Sequence, residues 1–207
     1  MHQCLRPFHL TLLCLCVFCK LNARAQNAGD TLYWSQNHRL VFEDFKGKPT
    51  KSDTTLYEAT PNMLTHKLGA IVKSIDVHFL AEHNKTTFTI RAGMKRSLSW
   101  IKDDGDTTEL KHEQGHFDIC EIYARILRRD IENAKSLSDA KAIYEKTSAD
   151  EEAEQDNYDK DNTYQVGGIT NEWQEKISNR LKALEAYKNP VITLSISLPA
   201  GVPTNRN

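Results

Sequence analysis

From Asp106 to Ile131 the apolar residues Leu110, Phe117, Cys120, Tyr123, Leu127 and Ile131 recur at helical spacing, with Lys111, Gln114, Asp118, Arg125 and Arg129 largely on the other side. This periodic stretch constrains the fold more than any other, because it requires a long amphipathic helix with one face directed at a core. The turn cluster Asp103-Asp104-Gly105-Asp106 marks its start. Asp106 is placed to cap it, and Glu109, three residues on, faces the free amides of the first turn.

Segments ahead of that helix read as strands: Arg39 to Phe42, a longer run from Lys67 to Leu80, and Thr86 to Arg91. In the longer run Ile71, Ile75, Val77 and Phe79 alternate with Val72, Ser74, Asp76 and His78. Glu82-His83-Asn84-Lys85 then supplies a polar turn toward Phe88 and Ile90, which predicts an antiparallel hairpin. After the long helix, a second begins near Ser136 or Ser138 and runs into Asp150, Glu151, Glu152 and Glu154, an expected solvated face. Tyr158 to Gly168 is polar, ends in Gly167-Gly168 and reads as a loop. Thr170 caps a third helix with the stripe Trp173, Ile177, Leu181, Leu184 and Tyr187 or Lys188, stopped by Asn189-Pro190. The tail from Val191 to Leu198 alternates as a strand or forms an extended arm. Strands followed by helices predict an α+β domain: a small antiparallel sheet packed with the long helix and two further helices.

At the start of the chain Arg6 precedes an apolar stretch from Phe8 to Phe18 and the small-residue site Ala23-Arg24-Ala25. That order is a secretory signal peptide, cleaved after Ala25. The expected domains are residues 1–25 as the signal and residues 26–207 as a single domain, secreted or periplasmic. No later stretch approaches the roughly 20 apolar residues of a membrane helix, so no transmembrane segment is expected after cleavage. Four of the five cysteines fall in the leader, which leaves Cys120 without a disulfide partner in the same chain. Acidic residues exceed basic ones once Arg6, Lys20 and Arg24 are removed. The chain therefore lacks the cationic footprint that holds phosphate backbones, and nucleic acid is not an expected partner.

Within the long helix, His112-Glu113-Gln114-Gly115-His116 matches H-E-x-x-H, two histidines one turn apart that bind zinc, with the glutamate as general base. At about 100° per residue, His116 lies roughly 40° around the helix from His112, and Glu113 roughly 100° from it, so all three open toward one cleft. Imidazole nitrogens suit Zn2+, a third side chain normally completes the protein shell, and water takes the remaining position. The metal acidifies that water and polarises a carbonyl, while the glutamate takes the proton and returns it to the leaving amine. Both histidines also fall on or beside the apolar face, where two unliganded imidazoles are costly to bury. Gly115 costs about 1 kcal/mol relative to alanine inside a helix, which predicts close approach by another element or by substrate.

The longer stretch Leu110-Lys111-His112-Glu113-Gln114-Gly115-His116-Phe117-Asp118-Ile119, followed by Glu121, Tyr123, Ala124 and Arg125, resembles a bacterial family of predicted secreted zinc-dependent proteases, the domain of unknown function numbered 922. Phe42-Glu43-Asp44-Phe45-Lys46-Gly47, Ser99-Trp100 and Glu172-Trp173-Gln174 extend the resemblance over most of the mature chain. It implies a zincin-like metallopeptidase fold. The family carries Tyr-Asp-x-x-Thr-x-His after its second helix, where this chain has Tyr158-Asp159-Lys160-Asp161-Asn162-Thr163-Tyr164. Tyr164 thus stands at the position that the resemblance gives to the third metal ligand, although a phenol binds zinc well only when it has lost its proton. Asp159 and Asp161 are the alternative oxygen donors.

The expected function is hydrolysis of peptide bonds by an exported zinc-dependent peptidase, with His112, His116 and Tyr164 at the metal and Glu113 as catalytic base. Tyr158 or Tyr164 would polarise a peptide or protein substrate. The alternative is a non-catalytic envelope or binding module whose metal site has degenerated. His38, His66, His78 and His83 are isolated in sequence and read as surface or satisfied core residues. Cys120 reads as a small packed hydrophobe, Trp100 and Trp173 as core, and Asp118 and Glu121 as outer or surface residues more than about 100° around the helix from the histidines.

Overall fold

The computed structural model describes residues 29–50, 69–82, 85–102, 107–162 and 169–196. Its strands are β1 (Thr31–Tyr33), β2 (Gly69–Ala70), β3 (Lys73–Glu82), β4 (Lys85–Lys95) and β5 (Trp100–Ile101), followed by α1 (Thr108–Ile131), α2 (Leu137–Asn162) and α3 (Asn171–Ala183), and finally β6 (Val191–Leu194). This is an α+β fold with small antiparallel sheets. By internal contacts the chain divides into Met1–Thr31 and Leu32–Asn207. The described part of the first unit is a turn leading into β1, and everything below concerns the second.

β3 and β4 form the expected hairpin, with Lys73 opposite Met94 and Glu82 opposite Lys85. The start of β4 pairs on its other side with β6, Thr89 opposite Val191 and Thr86 opposite Leu194, so the tail is a strand as far as Leu194. β4 is therefore central. Its alternate residues Phe88, Ile90, Ala92 and Met94 are buried in one core with Phe117, Ile119, Ile122 and Leu127 of α1. Each large side chain buried there contributes about 1.5–3 kcal/mol. Cys120 is a free thiol inside the same core, and Trp100 and Trp173 are buried as well.

Two expected strands differ. The run after Lys67 is divided between two sheets, because β2 pairs with β5, Gly69 opposite Ile101, before the chain turns into β3. Val72 marks the crossing: its N–H donates to Ser99 Oγ at 2.9 Å and its carbonyl accepts from Lys95 N at 2.8 Å. Arg39 to Phe42 is not a strand. Leu40 is buried and donates its N–H to Gln114 Oε1 at 2.7 Å, and a 3-10 turn, Phe42–Asp44, follows. Just beyond, Gly47 donates to Ser99 O at 2.8 Å, and a Cβ there would meet that same oxygen at 2.8 Å.

The long helix also departs from simple amphipathicity, since every residue from His112 to Arg125 is buried. Part of the polar face is covered: Asp118 Oδ1 accepts from Gln114 Nε2 at 2.8 Å and Trp34 Nε1 at 2.7 Å, while Oδ2 accepts from Arg39 at 3.0 Å, and Lys111 and Arg129 stay exposed. Asp118 and Glu121 are thus buried braces and not surface groups.

In α2, Ser136 Oγ accepts from Asp139 N at 3.1 Å near the start, and the helix continues to Asn162. The loop expected from Tyr158 is therefore helical as far as Asn162. The acidic stretch is not solvated throughout either: Asp150 and Glu152 are exposed, but Glu151 and Glu154 are half-buried and paired. Thr170 caps α3 as expected, its hydroxyl accepting from Trp173 N at 3.2 Å. The helix stops at Ala183, and the last part of its expected stripe lies in a 3-10 turn, Glu185–Tyr187. No helix among the described residues is long and apolar enough to cross a membrane. The leader, His66, His83, Asp106, Tyr164 and Gly167-Gly168 lie outside the described residues.

Candidate metal centre

The site forms where α2 crosses the first turns of α1. Gly115 permits the crossing, because a Cβ there would lie 2.1 Å from the Tyr158 hydroxyl oxygen and 2.6 Å from Cζ of the ring. The approaching element anticipated from the glycine is thus α2. Tyr158 is fully buried and donates its hydroxyl to the backbone carbonyl of His112 at 3.0 Å. Its ring stacks on His112 with centroids 5.0 Å apart, meets His116 edge-on at 4.7 Å, and is backed by Trp173 at 5.2 Å. Burial pushes its phenol pKa up. Tyr158 therefore packs against both imidazoles, and its hydroxyl is engaged by the His112 carbonyl and not free to polarise a substrate carbonyl, the role expected from the sequence.

The helical spacing brings the imidazoles together, with Nε2 of His112 and Nε2 of His116 3.1 Å apart. One turn of α2 beyond Gln155, Asp159 places Oδ1 3.3 Å from the first and 3.0 Å from the second. All three atoms lie within 4.8 Å of one another. The histidine side chains are 11% and 10% exposed and that of Asp159 is 54% exposed, so the cluster opens outward on its carboxylate side. Burial raises the Asp159 pKa, but hydrogen bonds from His112 and His116 outweigh it and hold the carboxyl well below its usual range. Two imidazole nitrogens and an anionic oxygen converging on one point are a donor set that suits zinc.

Glu113 is also buried, and β2 lies close to it: a Cβ on Gly69 would sit 2.9 Å from Glu113 Oε1 and 3.3 Å from Glu109 Oε1. Glycine at position 69 lets the strand approach both carboxylates. Burial, and then the charge of Glu113, raise the Glu109 pKa to about 7.

The structure thus brings together His112 and His116, with Glu113 beside them, and adds Asp159, one of the two alternative oxygen donors. Asp161 points elsewhere and accepts from Trp173 Nε1 at 2.9 Å. Tyr164 lies outside the described residues. His38 pairs with Asp44 at 2.8 Å, and His78 is exposed. Sequence reasoning missed Gln155, whose amide contacts His116. The available signal was spacing, because Thr147, Glu151, Gln155, Tyr158 and Asn162 recur every three or four residues and form an inward stripe made mostly of polar side chains. No protein-family model, curated protein or solved structure matches the chain.

Proposed function

We propose that the protein is an exported zinc-dependent peptidase related to the secreted protease family that its helix motif resembles. The observation that carries this reading is the convergence of His112 Nε2, His116 Nε2 and Asp159 Oδ1 within 4.8 Å, on the same helix as the buried Glu113. These three residues would hold the metal. Zinc, when bound, supplies a Lewis acid that acidifies water and polarises a carbonyl. Glu113 takes a proton from the attacking water as its oxygen bonds to the peptide carbonyl carbon, then delivers that proton to the amine nitrogen as the C–N bond breaks. Tyr158 and the Gly115 crossing keep the imidazole rings fixed while this happens. Peptide as the substrate class follows from the resemblance over residues 110–125, and export from residues 1–25, which places the mature N-terminus at Gln26.

Glu113→Gln tests the reading. An amide cannot take up the proton, so hydrolysis of a peptide library should fall by about 10²- to 10⁴-fold while zinc content and melting temperature stay unchanged. Equal hydrolysis by variant and native protein would reject Glu113 as the base. Zinc-free, inactive but well-folded native protein would instead favour a binding module. Mass spectrometry of the exported chain checks the N-terminus.

A further inference from the structure

We propose that Gln155 is a positioning residue that fixes the proton of His116 on Nδ1, with Glu151 and Lys73 holding its amide in place; the proposal rests on the metal-site reading above. His116 Nδ1 lies 2.6 Å from Gln155 Oε1. Which end of the amide faces the ring follows from what the other end touches. Gln155 Nε2 is 2.6 Å from Glu151 Oε1 and 3.1 Å from the backbone carbonyl of His116. A carboxylate and a carbonyl only accept, so that end must be the NH2 group. The end facing the ring is then the carbonyl oxygen, and Nδ1 must carry the hydrogen.

The consequence falls on the opposite ring nitrogen. In a neutral imidazole with hydrogen on Nδ1, the lone pair is on Nε2, the atom that faces His112 and Asp159. Free neutral imidazole side chains favour the other tautomer, which would aim a hydrogen into the cluster. A histidine ligand whose second nitrogen donates to a fixed acceptor is oriented and made more basic toward a metal. Here the acceptor is itself fixed, since Gln155 is buried and Lys73 Nζ, from β3, lies 3.2 Å from the same Glu151 oxygen. Lys73, Glu151, Gln155 and His116 form a line from the sheet, through α2, to α1. Gln155 reaches the centre only through His116.

Histidine ring nitrogens of the full chain, labelled with 15N and free of metal, report the tautomer directly. At a pH where the ring is neutral, His116 is expected to show a protonated Nδ1 and an unprotonated Nε2. Gln155→Leu should move hydrogen toward Nε2 and weaken zinc affinity by about 10- to 100-fold. The exchange Glu151→Gln with Gln155→Glu keeps an acceptor against Nδ1 and a donor amide behind it, so it should restore both the tautomer and the affinity to within a few-fold of native. A native His116 protonated on Nε2, or Gln155→Leu with native tautomer and zinc affinity, would overturn the proposal. If the tautomer shifts as expected but neither native nor exchanged protein binds zinc, the positioning role stands and the metal reading fails. Tight zinc binding that is indifferent to Gln155 gives the reverse.

Discussion

The two halves of α1 bury polar side chains to similar depth and use them differently. Toward the C-terminus, Arg125 Nε and Arg128 Nη1 lie 2.9 and 3.0 Å from Glu121 Oε1, and other guanidinium donors reach Leu181 O at 2.8 Å, Tyr187 O at 2.9 Å and Ile90 O at 2.8 Å. In that set donors end on acceptors, and the result fastens α1 to β4 and to the end of α3. Toward the N-terminus, His112 Nε2, His116 Nε2 and Asp159 Oδ1 converge on one point. Burial of polar groups does not by itself mark a site. A closed set of opposite charges is a brace, whereas converging lone pairs on a fixed frame are suited to a cation.

The largest expected effect breaks the brace. Glu121→Ala leaves two buried guanidinium groups without their shared carboxylate and should cost about 3–5 kcal/mol in denaturant unfolding. His116→Ala in metal-free protein should cost far less and remove zinc binding instead. A small loss for Glu121→Ala would show that the two halves are not energetically distinct. Gly115→Ala comes next, because its methyl group must displace the Tyr158 ring. Overpacking of about 1–3 kcal/mol should exceed the roughly 1 kcal/mol gained in helix propensity, giving net loss of stability and weaker zinc binding in a titration. A stabilised variant would mean that α2 yields easily and does not frame the centre.

The smallest effect is at Glu154, a half-buried group that accepts from Tyr123 at 2.7 Å and lies 2.9 Å from Lys176. Burial pushes its pKa up, but hydrogen bonds from Arg180, Tyr123 and Lys176 outweigh it and lower the value from 4.5. A depressed carboxylate stabilises the fold above its unfolded pKa, and this contribution is lost as pH falls through the folded one. Glu154→Gln should therefore lower stability at pH 7 by on the order of 1 kcal/mol, after allowance for solvent screening, with the difference fading as pH falls below the ordinary carboxylate range. A difference independent of pH would assign the loss to packing.

Much of this arrangement is legible in the chain before folding. The apolar period of α1, the hairpin alternation and the Thr170 cap are local signals, and each names its element. H-E-x-x-H fixes the two imidazoles because helix geometry alone brings them together. What escapes is set by tertiary contact. The end of α2 reads as a loop because its inward stripe, from Thr147 to Asn162, is mostly polar and leaves no apolar period to detect. Asp159 consequently looks like a loop residue although helix geometry aims it at the histidines. Arg39 to Phe42 fails for the complementary reason: its pattern suits a strand, yet Leu40 finds its hydrogen bond on the Gln114 side chain. The polar face of α1 likewise gives no sign that Trp34 and Arg39 will cover it.

The central claim is that His112, His116 and Asp159 together hold one metal ion. Its most direct test is zinc titration of the chelator-stripped chain, with bound metal counted by elemental mass spectrometry in native protein and in folded His112→Ala and Asp159→Ala variants. The account predicts one zinc per native chain, none retained by His112→Ala, and clearly weakened binding by Asp159→Ala. A folded native chain that takes up no zinc, or zinc affinity that does not change when Asp159 is removed, would contradict it.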